Sequence, residues 1–323
     1  MQIVDAAATR RHLGFAPLIA ALQRMFASGC EVPLRHTHTI ADAGTLLLMP
    51  AWRAGARLGI KVVTIFPGNS ALGLPGLHST YLLFDAATGV PLAQLDGDEI
   101  TSRRTAAASA LAASFLARPD ASRLLIVGTG RVASLIAEAM QVVRPLTEVV
   151  VWNHRAASAE ALAGRLCEQG FNARPAGDLA AAVAAADIVS CATLSTVALI
   201  SGEWLQPGTH LDLIGSFTPA MCEADAACFE RSRVYVDTLE ALAKSGDVLR
   251  AVEAGAFQPE RLAGTLAELC RSTRPGRDDA TQITLFKAVG TALEDLAAAE
   301  RVWEGVLADS LSLAPAPVTD RAP

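Results

Sequence analysis

No cysteine of this chain stands in a C-x-x-C pair, no run of lysine and arginine occurs, and no uninterrupted apolar stretch approaches the ~20 residues that a membrane span needs. The first absence excludes a disulfide framework or a ribbon-type metal site. Cys30, Cys167, Cys191, Cys222, Cys228 and Cys270 fall at irregular spacings, as reduced and mostly buried thiols do, so a cytoplasmic home is expected. The second absence removes nucleic acid from the expected partners: 27 Lys and Arg against 33 Asp and Glu leave a formal charge of -6 from scattered acids. The third, with an acidic Asp5 and no apolar core before a small-residue cleavage site, argues against export and membrane insertion.

What is present is alanine and length. The apolar fraction of 51% is raised by stretches such as 106–113 and 180–186, and alanine is the strongest helix former, so these read as helix. At 323 residues the chain has about twice a typical domain length, and two domains are expected. Strand signals dominate the first hundred residues, at 35–40, 45–49, 59–65, 80–84 and 91–95, with 85–89 as a hairpin connection. From 98 to 117 the spacing turns helical, with Leu111, Phe115 and Leu116 on one face, until Pro119-Asp120 breaks it and marks a domain boundary. Beyond the break the pattern alternates: strand 123–127, helix 132–142, strand 148–152, helix 158–168, helix 179–186, and strands 188–192, 211–214 and 233–236. Such alternation predicts a parallel, doubly wound α/β sheet. The segment 281–307 reads as one long helix returning to the first domain, and 314–323, rich in Pro and Ala, as disordered.

The sharpest local signal is Leu124-Leu125-Ile126-Val127-Gly128-Thr129-Gly130-Arg131-Val132-Ala133, a buried strand running through G-x-G-x-x-A into a helix. Gly128 permits the tight turn, Gly130 lets the backbone approach a pyrophosphate, and Ala133 allows close packing. The helix start, with Thr129, Arg131 and Val132, offers N–H groups to the phosphates. An NAD enzyme usually carries an acid at the end of the second strand for the ribose 2′-hydroxyl. Here Val151-Trp152-Asn153-His154-Arg155 has none. Asn153 can bond the ribose while Arg155, helped by His154, can pair with a 2′-phosphate, so NADPH is the expected cofactor, with NADH possible. The other reading of Arg155 is a solvated residue at a helix start.

Met49-Pro50, Lys61, Thr80-Tyr81-Leu82-Leu83-Phe84-Asp85, Asp96-Gly97, Arg104-Thr105-Ala106-Ala107, the Gly128 loop, Gly246-Asp247-Val248 and Thr284-Leu285-Phe286-Lys287-Ala288-Val289-Gly290 stand in this order along nearly the whole chain. Together they resemble the ornithine cyclodeaminase and mu-crystallin family. The resemblance implies a substrate-binding and dimerisation domain, 1–117 with 291–323, a Rossmann domain, 118–290, and a homodimer. It also implies a small amino or imino acid whose carboxylate is held by three cations, which by position are Arg35, Lys61 and Arg104. A guanidinium grips a carboxylate bidentately and fixes the neighbouring carbon. Lys61 interrupts an apolar strand, where an unpartnered ammonium is costly, whereas Arg104 follows Arg103 near the start of a helix, where the dipole disfavours cations unless an anion joins them. Thr80, Thr105, Thr193, Leu194 and Ile214 are implied as further cofactor contacts.

Two departures from the cyclodeaminase pattern decide the expected chemistry. Phe217, in Gly215-Ser216-Phe217-Thr218-Pro219, stands where those enzymes carry an Asp, and Leu47 where they carry a Glu for the distal amino group. A substrate with a carboxylate at one end and an apolar ring at the other follows, and the loop resembles that of reductases of Δ1-pyrroline-2-carboxylate and Δ1-piperideine-2-carboxylate. Lys61 is the candidate proton donor, with His36, His38 and His78 behind it. Asp225 and Glu223, the acids that a cyclodeaminase or amino-acid dehydrogenase would need in place of the missing Asp, read as a helix start. A mu-crystallin-like protein that binds NADPH and a small ligand without turnover is the reading from another class.

Overall fold

The structure is a computed structural model and describes residues 1–41 and 44–312. In chain order its elements are β1 (Gln2–Val4), α1 (Ala6–His12), α2 (Phe15–Ser28), β2 (His36–Ile40), β3 (Gly44–Trp52), β4 (Arg57–Ile65), β5 (Leu77–Asp85), β6 (Pro91–Asp96) and α3 (Gly97–Leu116). There follow β7 (Arg123–Val127), α4 (Ala133–Gln141), β8 (Glu148–Trp152), α5 (Ala156–Glu168), β9 (Ala173–Pro175), α6 (Leu179–Ala185), β10 (Ile188–Cys191), β11 (His210–Leu213), α7 (Ala226–Glu230) and β12 (Arg233–Val236). The chain ends through α8 (Ala241–Lys244), α9 (Gly246–Glu253), β13 (Gly264–Thr265), α10 (Leu266–Cys270), β14 (Thr284–Lys287) and α11 (Ala292–Ser312).

Two sheets organise the molecule. The first runs β1-β6-β5-β4-β3-β2, antiparallel except where β1 joins β6. The second, β13-β12-β14-β11-β10-β7-β8-β9, is parallel throughout. Its β9-β8-β7-β10-β11-β14 portion follows the Rossmann order, and the winding reverses between β7 and β10, where such sheets bind ligands. The α/β class and the doubly wound sheet expected from the sequence are therefore present. No helix among the described residues is long and apolar enough to cross a membrane.

Helix α3 joins the sheets. Its alanines from 106 to 108 and 110 to 113 are buried on every side, between α2 and α11 on one flank and α4 and β14 on the other. A helix apolar all round belongs in a core, and methyl-sized side chains let neighbouring backbones approach closely. Ser109 on this helix donates to Asp212 Oδ1 at 3.0 Å, and Ser190 donates to Oδ2 at 2.6 Å, tying α3 to the parallel sheet through a buried carboxyl that burial pushes up to about 6. Ends meet as well: Arg144 donates to the carbonyls of Ala113, Ser114 and Ala117, the last two being groups that the end of a helix leaves unpaired.

Residues 281–307 do not form one helix. Thr284–Lys287 is a strand buried in the parallel sheet between β11 and β12, and α11 starts only at Ala292. Gly290 separates them with φ +77°, and its N–H, like that of Val289, donates to Asp237 Oδ2, at 2.7 and 2.8 Å. Four residues buried on both faces show no alternation, so periodicity could not distinguish them from helix. Helix α11 then packs on α2, α3, β3 and β4, as expected for a return to the first sheet. The segment 314–323 lies outside the described residues.

Candidate active site

At the switch point, β7 turns into α4 through the glycine loop. Gly128 has φ +114°, its N–H donates to the Trp152 carbonyl at 2.9 Å, and a Cβ there would lie 2.5 Å from the Ala192 carbonyl oxygen at the end of β10. At Gly130 a Cβ would meet nothing within 4 Å. The two glycines thus have different reasons: the first allows two strand ends to touch, the second leaves a backbone face open. Val132 precedes α4 without a side-chain cap, and the N–H groups of Thr129, Gly130, Arg131 and Val132 bond to no protein group. An open glycine face beside unpaired N–H groups at a helix start suits a dinucleotide pyrophosphate. Ala133 is buried, as close packing requires, and Arg131 stands exposed with Nη1 3.4 Å from Asp98.

Asn153 follows β8. Its Nδ2 donates to Thr129 Oγ1 at 2.9 Å and its Oδ1 accepts from Arg155 N at 2.9 Å, so the amide ties the glycine loop to the next turn. His154 and Arg155 are exposed beside it. Across the switch point, Thr193 N and Oγ1 donate to Glu223 Oε1 at 2.7 and 2.9 Å, and Gly215 N donates to Oε2 at 2.6 Å. One carboxyl therefore holds the loops that follow β10 and β11. Glu223 is not at a helix start, contrary to its reading from the sequence. It is wholly buried, and burial pushes it up to about 7. Asp225 is the one that caps α7. Glu223 and Ala224 donate in turn from their backbone to Asp247 Oδ1, whose Oδ2 pairs with Lys287 at 3.1 Å in a fully buried contact. The Gly246-Asp247-Val248 and Thr284–Lys287 motifs thus converge on this support. Leu194 is exposed on the first loop, Ile214 is buried at the start of the second, and Phe217 is 41% exposed.

The inner face of the antiparallel sheet supplies the cations. Met49, Lys61, Tyr81 and Leu95 form one buried cross-strand row. Lys61 Nζ lies 2.8 Å from Asp295 Oδ2 in an ion pair and donates to Thr101 Oγ1 at 3.3 Å, while Oδ2 itself accepts no hydrogen bond, so N–H groups of the ammonium stay without a partner. Arg104, two turns into α3, donates from Nε to Asp295 Oδ1 at 3.0 Å and from Nη1 to Glu294, while Nη2 has no protein partner. Arg35, just before β2, donates from Nη2 to the Gly290 carbonyl at 3.1 Å and lies 3.4 Å from Glu240. Burial lowers Lys61 to about 8, against the pull of Asp295. Burial acts to raise Asp295, yet Lys61 and Arg104 together hold it below the usual carboxylate range. Glu294 is pushed up to about 7 by burial, and its Oε1 is buried with no hydrogen-bond partner.

Side-chain parity sorts the remaining candidates. Thr80 neighbours Tyr81 and pairs with Val62, so its side chain lies on the face opposite Lys61, with Oγ1 donating to the Leu95 carbonyl at 3.4 Å. His36, His38 and His78 pair with Leu48, Leu46 and Thr64, which also places them on the opposite face and removes them as proton donors to a ligand held by Lys61 of the same chain. Leu47 pairs with Val63 and shares the face of Lys61, so the position where a cyclodeaminase carries Glu does face the cations. Thr105, one turn beyond Thr101 on α3, donates to the Thr101 carbonyl at 2.7 Å. Sequence reasoning missed Glu294, Asp295, Asp237 and Lys287. The one local signal was Lys287 inside an apolar run, whereas two acids in the first turn of a helix are ordinary.

An eight-stranded parallel sheet with an open glycine turn at its switch point, joined to a sheet whose inner face carries the buried Lys61, is the architecture of a dinucleotide-binding protein. The chain belongs to the ornithine cyclodeaminase/mu-crystallin family, whose sequence model matches residues 7–310. It is 34% identical over 313 residues to the Δ1-pyrroline-2-carboxylate reductase of Colwellia psychrerythraea, covering 94% of this chain and 99% of that one. Among solved structures it is similar to the Thermococcus litoralis Δ1-pyrroline-2-carboxylate reductase in complex with NADH and L-proline, with a TM-score of 0.90, 29% identity, and coverage of 96% and 98%. An archaeal alanine dehydrogenase dimer with bound NAD is alike to the same degree: TM-score 0.90, 28% identity, coverage of 96% and 97%.

Proposed function

We propose that this protein reduces cyclic imino acids, Δ1-pyrroline-2-carboxylate to L-proline and Δ1-piperideine-2-carboxylate to L-pipecolate, with NADPH as the hydride donor. The observation that carries the reading is the pair Lys61 and Arg104. Both are buried, both keep N–H groups with no partner, and donors left unmet in a cleft are costly until an acceptor arrives. A substrate carboxylate is such an acceptor. The carboxylates around these cations cancel their charge, so the substrate is recognised by directed donors rather than by net positive potential. Arg104 Nη2 and Arg35 grip the carboxylate, which orients the imine carbon. Lys61 supplies the proton to the imine nitrogen. The nicotinamide, when bound at the glycine loop, supplies the hydride to the carbon of the C=N bond. Phe217 and Leu47, in place of two carboxylates, leave no partner for a cationic tail and suit an apolar ring. The Colwellia and Thermococcus relatives support this substrate class.

In this reading 1–117 with 291–323 is the substrate-binding and dimerisation domain and 118–290 the Rossmann domain. A homodimer is supported by the outer face of the first sheet, where Leu48, Trp52, Ile60, Val62, Leu82 and Phe84 stay only half-buried in one row after another. Large apolar faces of this kind mark association surfaces. The choice of NADPH rests on Arg155, exposed beside Asn153 where no acid stands. A cytoplasmic site of action is supported by six free cysteines. The test is NADPH oxidation followed by absorbance with either imine, beside a control with L-ornithine and NAD assayed for ammonia. Oxidation without ammonia supports the reductase, ammonia from ornithine means that Phe217 and Leu47 were misread, and silence in both moves the weight to a binding protein.

A further inference from the structure

We propose that Asp295 is the positioning residue of this reaction: one wholly buried carboxylate clamps Lys61 Nζ with one oxygen and Arg104 Nε with the other, fixing the ammonium as proton donor and the guanidinium as anchor. The inference deepens the imine-reductase reading and rests on it for its kinetic test. Oδ2 stands 2.8 Å from the ammonium and Oδ1 3.0 Å from the guanidinium, and the Asp295 side chain is 0% exposed, so it lies behind both cations. It sits in the first turn of α11, a helix of 21 residues, where the dipole favours an anion and the backbone is stiff. Lys61 is equally held, from a mid-sheet position flanked by Met49 and Tyr81.

The consequence is positional. Asp295 fixes the ammonium as an ion pair and Thr101 accepts one of its N–H groups, which leaves N–H groups of Lys61 for a ligand. In the reaction two electrons and a hydrogen arrive on the imine carbon as hydride, the C=N π pair moves onto nitrogen, and that nitrogen takes a proton of Lys61. The lysine leaves the step neutral, and water restores its proton. The donor must therefore be charged before each turnover, although burial and the neighbouring Arg104 both oppose this. The charged and titratable groups that face Lys61 are Asp295 and Glu294 from α11, Arg104 from α3 and Tyr81 from β5, and β3 contributes only Met49. Of these, Asp295 is the carboxylate in contact.

The experiment is the pH profile of kcat/KM with Δ1-pyrroline-2-carboxylate and NADPH for wild type, Asp295→Asn, Asp295→Glu and Glu294→Gln. Wild type should lose activity above about 8, as Lys61 deprotonates. Removing the adjacent charge in Asp295→Asn should move that limb down by about one unit or more. Its deficit then grows with pH, small near 6 and about tenfold or larger above the wild-type limb. Asp295→Glu should restore the limb with a lower kcat, and Glu294→Gln, which removes a weaker pull on Lys61, should move the limb less than Asp295→Asn does. A deficit in Asp295→Asn that is the same at every pH is that of a structural residue, and it overturns the proposal. So does loss of the limb in Glu294→Gln, which would assign the proton to Glu294. An independent readout needs no turnover. The chain has three lysines, Lys61, Lys244 and Lys287, so the side-chain nitrogen of Lys61 can be followed by 15N NMR in lysine-labelled protein. A titration near 8 is expected in wild type, and a lower one in Asp295→Asn, because Asp295 pulls the value up against burial. A titration that stays in place in Asp295→Asn would overturn the clamp, whereas one that falls there, in a protein that fails to reduce either imine as wild type, refutes the reductase reading alone.

Discussion

Gly128 and Gly130 belong to one motif, and the structure separates their roles sharply enough to test. Replacing Gly128 by Ala puts a methyl 2.5 Å from the Ala192 carbonyl oxygen and 3.1 Å from its carbon, on a backbone held at φ +114°. The obstacle is the end of β10, which is backbone in the middle of the sheet and cannot swing aside. Strain at such a φ costs about 1–3 kcal/mol, and the clash adds to it, so a loss of roughly 3 kcal/mol or more is expected. For a chain of this size that is a fall in Tm of about 4–5 °C or more. Gly130→Ala places its methyl in open space at an ordinary φ, and stability should change by less than about 1 kcal/mol, in either direction. Its penalty falls on the ligand. A methyl on the face meant for the pyrophosphate displaces charge-assisted contacts from the backbone N–H groups, worth about 1.5–3 kcal/mol, or roughly ten- to a hundredfold in dinucleotide affinity. Thermal melts and nicotinamide fluorescence titrations of both variants measure all four quantities. Gly130→Ala binding the dinucleotide as wild type does, or melting as low as Gly128→Ala, would refute the reasoning about this loop.

Other perturbations follow the same logic. Arg155→Ala should weaken NADPH binding by roughly ten- to a hundredfold while leaving NADH unchanged, and an unaltered ratio of the two affinities would show that Arg155 is only solvated. Lys61→Met should destabilise by about 3–5 kcal/mol by leaving part of the Asp295 charge uncompensated. Lys61→Met with Asp295→Asn should regain most of that in a melt yet remain inactive, and a double variant no more stable than the single one contradicts the pairing. His210 is wholly buried, and burial lowers it to about 3, below the ordinary value of 6.5. The unfolded chain therefore takes up a proton that the native state does not as pH falls below 6.5, so stability is lost towards acid, about 2 kcal/mol between pH 6.5 and 5 from this group. His210→Asn should melt with a visibly shallower dependence over that interval.

Much of the fold was legible because local patterning and tertiary environment agree. β7, β8 and β12 occupy the residues expected of them, β2 starts one residue later than expected, and β3 to β6 grow by a few residues at their ends. Alternation reads well in β4, where Gly59, Lys61 and Val63 face inward and Ile60 and Val62 outward. The helices α1 and α2 were legible in principle and went unread. Asp5 caps α1 by accepting from Ala8 N at 2.8 Å, and Leu18, Leu22 and Met25 lie on one buried face of α2. β14 was not legible, since a short strand buried on both faces carries no periodic signal. In the site, cation positions followed from the family resemblance, but their carboxylates did not. Arg104 meets Asp295 across 191 positions of chain, and nothing local in Leu293-Glu294-Asp295-Leu296 tells a buried clamp from an ordinary acidic first turn. Glu223 was misread for the same reason. Its partners, Thr193 and Gly215, come together only when β10 and β11 are laid side by side.

The central claim is transfer of a hydride to the carbon of a cyclic C=N bond. Its most direct test uses NADPH with both hydrogens at C4 of the nicotinamide replaced by deuterium, with Δ1-pyrroline-2-carboxylate and purified protein, and reads the product by mass spectrometry and proton NMR. The account predicts L-proline carrying one deuterium, at the α carbon. Proline without the label, or labelled cofactor left intact in the presence of the imine, would contradict it.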